Sequence, residues 1–258
     1  MSGRRGFSTI EMLVAMAITT TCAGVMLSLV TAGHAIARTQ PARSDQQQRA
    51  RIAMETLGTE LARAGAGLDR GAQAGPLAQY FAPVVVSADN GLTVWYVAAA
   101  RAQAALTAPF VPGSTDAAID AGGTCPAADP PCGFEPASSA LVFDTTGCHD
   151  VVRIDAVMPA SIVTRAAPRT CSYAAGAAVA AGEVRTYRVD PATRQLIRRD
   201  EATGGSVPVL DQVGGMSIAV LDGGRRVRVS LRFVSTLLEV PELVLALDVA
   251  PPNLRERW

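Results

Sequence analysis

The sequence predicts an α+β chain: one long N-terminal helix, apolar in its inner half and amphipathic in its outer half, packed on an antiparallel β-sheet domain. Three observations predict it. From Met12 to Ala37 there are 26 residues without an acid or an arginine. Beyond them Ala50, Ala53, Met54, Leu57, Leu61 and Ala64 recur at three- and four-residue steps, the spacing of one helical face. Past Gly67 the period falls to two, most clearly where Val227, Val229, Leu231 and Phe233 alternate with Arg226, Arg228, Ser230 and Arg232.

The apolar run comes first. As a helix rising ~1.5 Å per residue it exceeds a hydrocarbon core of ~30 Å, so one membrane crossing is feasible. A secretory signal peptide has a shorter apolar stretch followed by a small-residue cleavage site. Arg4 and Arg5 precede the run and favour a cytoplasmic N-terminus, although Arg38 and Arg43 follow it. The helix is expected from about Ile10 to Ala64, kinked or interrupted at Pro41 and stopped by Gly65-Ala66-Gly67. Asp45 with Arg49 and Arg51 with Glu55, four apart, belong on its solvated side.

Strands are expected at Leu92 to Ala98, Ala140 to Phe143, Val151 to Val157, Glu183 to Val189 and Leu243 to Val249. Met216 to Leu221 and the arginine-rich strand after it form a hairpin across Asp222-Gly223-Gly224. A second turn, Asp190-Pro191-Ala192-Thr193, lies between Tyr187 and Leu196. The sum is a helix laid against a meander. Residues 100 to 135 and about 174 to 182 are rich in Ala, Gly and Pro and read as loops.

A chain of 258 residues holds an anchor and one sizeable domain. The formal net charge is +0 and every basic residue is arginine, so no basic face stands ready for phosphate backbones and no nucleic-acid partner is expected. Arginine in place of lysine, with abundant alanine, has the look of a GC-rich bacterial genome.

Cys22 lies in the apolar run, while Cys125, Cys132, Cys148 and Cys171 lie in the polar middle. Four cysteines in an exported domain suggest two disulfides, with three possible connectivities, and proximity favours Cys125 with Cys132 and Cys148 with Cys171. They lack the close Cys-x-x-Cys pairs of a structural zinc site. Asp116, Asp120, Asp129 and Asp144 lack the spacing of a calcium loop, and neither metal nor cofactor is expected. Of the two histidines, His34 ends the apolar run. His149 sits between Cys148 and Asp150, but neighbours on a strand point to opposite faces and Cys148 is better used in a disulfide. No nucleophile, base and orienting group can be assembled, nor is there a phosphate-binding glycine motif, so an enzyme is not expected. Trp95 and Tyr96 read as core and edge aromatics, and Trp258 as a terminal residue without a site.

Glu11 is the anomaly, because a carboxylate at the start of a membrane helix costs on the order of a few kcal/mol if placed deep. It requires a cation, or a place among head groups where the helix N-terminus favours it. The segment from Arg4-Arg5-Gly6-Phe7-Ser8-Thr9-Ile10-Glu11 through Ile18 resembles the class III signal of type IV prepilins and pseudopilins. The resemblance implies cleavage between Gly6 and Phe7 by prepilin peptidase, N-methylation of Phe7, and pairing of Glu11 with an N-terminal ammonium during assembly. Gly6 suits an extended strand entering a narrow protease cleft.

The stretch Ser44-Asp45-Gln46-Gln47-Gln48-Arg49-Ala50-Arg51, with Leu57 and Glu60-Leu61-Ala62-Arg63-Ala64-Gly65, also resembles the post-membrane helix of PilW-like minor pilins and of J-type secretion pseudopilins. The division it implies is a leader at 1–6, a transmembrane helix at 7–37, its periplasmic continuation at 38–67 and a pilin-like β-rich domain at 68–258. The implied function is that of a minor pilin in the priming or tip complex of a type IV pilus. Its partners would be prepilin peptidase, major and minor pilin subunits, the inner-membrane assembly machinery and inner-membrane lipid. Its place would be the bacterial inner membrane, crossed once with the domain in the periplasm, and then the filament. The alternatives are a minor pseudopilin of a type II secretion system, or a membrane-anchored periplasmic binding module that never polymerises.

Overall fold

The computed structural model describes residues 8–97, 102–121, 131–165, 171–201 and 203–254. It has an α+β layout, with one α-helix among the described residues, α1 (Thr9–Arg63), and an antiparallel β domain. The helix departs from expectation at Pro41, where it continues without a break. Pro41 is exposed, so the carbonyl of Ala37, four residues back, opens to the surroundings and forces no interruption. The helix ends where Ala64 takes an extended ψ of 132° and Gly65 a φ of 78°, so the glycine supplies the left-handed turn at the stop.

The main sheet is built on β8 (Ala178–Asp190), a strand of 13 residues. Its first half pairs with β3 (Gln103–Ala105) on one side and β5 (Ser139–Phe143) on the other. Its second half pairs with β2 (Leu92–Val97) and β9 (Gln195–Asp200). Beyond β2 lies β1 (Val84–Val86), and beyond β9 lies β10 (Ser206–Leu210). Beyond β5 the sheet continues through β6 (His149–Met158) and β7 (Ser161–Thr164) to β4 (Asp116–Ala118). A separate three-stranded sheet holds β11 (Val213–Leu221), β12 (Arg226–Phe233) and β13 (Leu243–Val249) in chain order.

The hairpin around residues 222–224, the turn at 190–193 and the last strand lie where the sequence places them. Only the small sheet is a meander, because in the large one β8 gathers partners from both sides of itself in the chain. The expected loops at 100–135 and 174–182 also contain strand. β3 and β4 fall in the first, and the opening residues of β8, Ala178 to Gly182, in the second. Ala178, Val179 and Ala180 are all buried, and a strand covered on both faces has no alternation to read. A Cβ on Gly182 would stand 2.7 Å from the Leu141 Cβ, so this crossing admits only glycine.

The helix packs on the small sheet and the second half of β8. Ala50, Ala53, Leu57, Leu61 and Ala64 meet Leu92, Val94, Tyr187, Val213 and the inward residues of β12 in one core. A second core, distal in the chain's wiring, surrounds Phe110, Phe134, Ile154 and Tyr173. Removing the Leu57 side chain is expected to cost ~2–5 kcal/mol. Denaturant unfolding of detergent-solubilised Leu57→Ala checks this, with Leu27→Ala, on the exposed half of α1, expected to leave the transition in place.

Candidate assembly surface

Every described side chain from Thr9 to Arg38 is exposed, a stretch of about 45 Å at ~1.5 Å per residue that the domain does not touch. It includes Ile10, Leu13, Val14, Met16, Ile18, Met26, Leu27 and Leu29, all more than half exposed. The helix is therefore long and apolar enough to cross a membrane once. Its polar side chains close on themselves. Thr19, Thr20 and Thr21 donate to the carbonyls of Ala15, Met16 and Ala17 at 2.7, 2.9 and 2.9 Å, and Ser28 and Thr31 do the same to Val25 and Leu27. Such back-bonded hydroxyls leave no donor unsatisfied in hydrocarbon.

At the start of the helix Ser8 is the N-cap. Its Oγ accepts from the Ile10 N–H at 3.4 Å, and its carbonyl accepts from Glu11 and Met12. Glu11 lies in the first turn, where the unpaired N–H groups favour a carboxylate by ~0.3–1 kcal/mol. Among the described residues no basic side chain forms a salt bridge with it. Ser8-Thr9-Ile10-Glu11 has the serine and glutamate spacing of a capping box, a signal that would have marked Ser8 from the sequence.

The helix enters the domain over about two turns. Thr39 and Ala42 are partly covered, and Gln46, on the same face, is buried. Gln46 Nε2 donates to the carbonyl of Phe233 at 3.0 Å and to that of Pro241 at 3.4 Å. Arg49 pairs with Asp45 at 2.8 Å, as the four-residue spacing expects, and also with Asp211.

Further along, Glu60 is only 5% exposed, and its Oε1 accepts from Arg185 Nη1 at 2.6 Å. Arg185 also pairs with Glu183 and lies 5.7 Å from the Tyr96 ring centroid, while Tyr96 donates to Glu183 at 2.9 Å. Burial, and then the charges of Glu60 and Glu183, raise the Tyr96 phenol above its ordinary range. Burial first and Glu60 second push Tyr187 up to about 12. Glu60 stands three residues after Leu57 on the apolar stripe, where an acid asks for a partner, a signal already present in the sequence.

Of the remaining candidates, Gly6, Phe7, Cys125, Asp129 and Trp258 lie outside the described residues. Cys148 and Cys171 form a disulfide with Cα atoms 6.0 Å apart, and Cys132 is disulfide-bonded. His149 has no thiolate beside it, since Cys148 is oxidised. Its ring stacks on Phe81 at 4.1 Å, meets the Trp95 ring edge-on at 5.0 Å, and its Nδ1 is 3.1 Å from the Gly147 carbonyl. Asp150 accepts from Tyr173 at 2.8 Å. Among the described residues no three His, Cys, Asp or Glu side chains stand close enough to hold a metal ion.

Two outcomes follow from the Glu60 cluster. Arg185→Ala strands a buried carboxylate and is expected to cost ~3–5 kcal/mol, read by denaturant unfolding, with Glu60→Leu and Arg185→Met together costing less than Arg185→Ala alone. Because the Tyr187 phenol keeps its proton in the folded chain at pH values where an unfolded chain loses it, folding loses stability from about pH 10 up to about 12. Tyr187→Phe is expected to make that alkaline loss shallower in unfolding measured across pH 8 to 12. No family model, no curated protein and no solved structure matches this chain.

Proposed function

We propose that the chain is a minor pilin, anchored by α1 in a bacterial inner membrane and built, after removal of its leader by prepilin peptidase, into the priming or tip complex of a type IV pilus. One observation carries the reading: an apolar helix uncovered from Thr9 to Arg38, with a carboxylate, Glu11, in its first turn and no described basic partner. In a lone anchor only the helix N-terminus favours that charge. A helix that joins a bundle of like helices gives it a further role, because the amine left by cleavage before Phe7 supplies a cation for Glu11 and fixes the axial register of the incoming subunit. The domain's role is structural, and the disulfide Cys148–Cys171 fits a chain exported to an oxidising compartment.

Intact-mass and N-terminal analysis of protein extracted from membranes, with and without prepilin peptidase, tests the reading. A chain starting at methylated Phe7 only when the peptidase is present is the expected result, and an uncut start at Met1 in both would overturn it. Glu11→Leu is expected to keep membrane insertion and to abolish recovery of the subunit in sheared filaments. Loss of type II secretion with intact pili on deletion of the chain would transfer it to a pseudopilus instead.

A further inference from the structure

The segment between β12 and β13, residues 234–242, holds two leucines in an unusual position. Leu238 is fully exposed at 103% and Leu237 is 41% exposed, yet the segment is firmly held. Phe233 before it and Val240 within it are buried, Leu237 N–H donates to Ser235 Oγ at 3.1 Å and Val240 N–H to the Leu237 carbonyl at 3.1 Å. A tight turn that pins both flanks and presents two adjacent leucines to the outside is an exposed apolar tip.

The tip faces the membrane end of the molecule. Leu243, Leu245 and Leu247 line a groove with Gln47, Arg51 and Met54, and Leu247 reaches to 3.5 Å from where a Cβ on Gly58 would stand. β13 thus runs alongside α1 in the same direction, its start near residue 47 and Leu247 near residue 58. The turn that precedes β13 therefore points back along the helix towards its apolar half, and Gln46 ties both stems of that turn to the helix through Phe233 and Pro241. Thr39 and Ala42, seven and four residues below Gln46 on its face, are partly covered, at the level towards which the turn points. Those residues stand ~3 to 8 Å beyond Ala37 at ~1.5 Å per residue, and the head-group zone on each side of a ~30 Å hydrocarbon core is ~5–7 Å deep. Arg38 and Arg43, both exposed, flank the same level, where head-group phosphates would meet them. Glu239, beside the tip, is exposed, and its charge opposes burial deeper than a head-group zone.

We infer that Leu237 and Leu238 form a second lipid contact, seated in the head-group zone of the leaflet from which the domain emerges. This rests on α1 crossing the bilayer. The pair converts a domain hanging on one helix into one held at two points, which fixes its tilt over the membrane before assembly. On extraction into a filament the tip leaves lipid, so the contact belongs to the membrane-resident subunit.

The test uses the full chain with Cys22→Ala and one reporter cysteine at a time, Leu238→Cys, Val220→Cys or Leu27→Cys. Each is labelled under non-reducing conditions with an environment-sensitive fluorophore and reconstituted into vesicles of phosphatidylcholine and phosphatidylglycerol. Val220 pairs with Val227, six residues from Phe233 at the far end of the strand, ~20 Å further from the tip. The label at 238 is expected to be quenched several-fold more than that at 220 by a lipid nitroxide placed near the head group, and less by aqueous iodide. Equal quenching at 238 and 220, with the label at 27 quenched by lipid, would overturn the inference and leave the anchor standing. Failure of the label at 27 to sense lipid would overturn both. Shielding at 238 that rises with protein-to-lipid ratio and brings no lipid quenching would assign the tip to a neighbouring subunit and overturn the lipid contact.

Discussion

One helix has to satisfy two solvents. From Thr9 to Arg38 its described side chains are exposed, and from Gln46 to Ala64 one face is buried in the core. The backbone ladder serves both halves unchanged, so the side chains alone set where the domain begins. Gln46 marks that border with bonds to the carbonyls of Phe233 and Pro241, and each leucine of the stripe, Leu57 and Leu61, contributes ~1.5–3 kcal/mol of apolar burial above it. Apolar burial does not say at what rotation or height the helix docks. The bond from Arg185 Nη1 to buried Glu60 Oε1 does, since a planar guanidinium whose other nitrogen is held by Glu183 reaches that carboxylate at one height only.

The second organising element is β8. In its first half, beside β3 and β5, Val179 enters the distal core while Ala178 and Ala180 face a third cluster around Phe81 and Phe143, and its second half belongs to the helix-bearing core with β2 and β9. Gly182 lies where the two halves join, pressed against Leu141. Two hydrophobic clusters that would otherwise be separate modules thus share one strand, and Arg185, three residues past that glycine, carries the connection on to the helix.

Much of this was legible in the sequence, and the residues say why. The helix from Thr9 to Arg63 was announced by a long uncharged run and by a stripe of small and branched residues, signals that depend only on local geometry. The β12 strand was equally plain because one face is wet and the other dry. The opening of β8 was not, since buried alanines on both faces resemble a low-complexity loop. Pro41 misled in the other direction, because an exposed helix segment has nothing packed on it to enforce a break. On the exposed half of the helix Glu11 stood out as a charge out of place, whereas Glu60 and Arg185, separated by 125 residues, become a pair only when the strand meets the helix.

The direction of β12 and β13 along α1 has a mechanical meaning. A pull on the helix loads the helix-to-sheet contact in shear, so that the leucines of the stripe, the Gln46 bonds and the Arg185 fork resist together rather than peeling one after another. Elements loaded in parallel fail at far greater force than elements unzipped in series, and forced unfolding is governed by the slow rate of that joint failure. A chain held in this way can be loaded through its helix with its domain still folded.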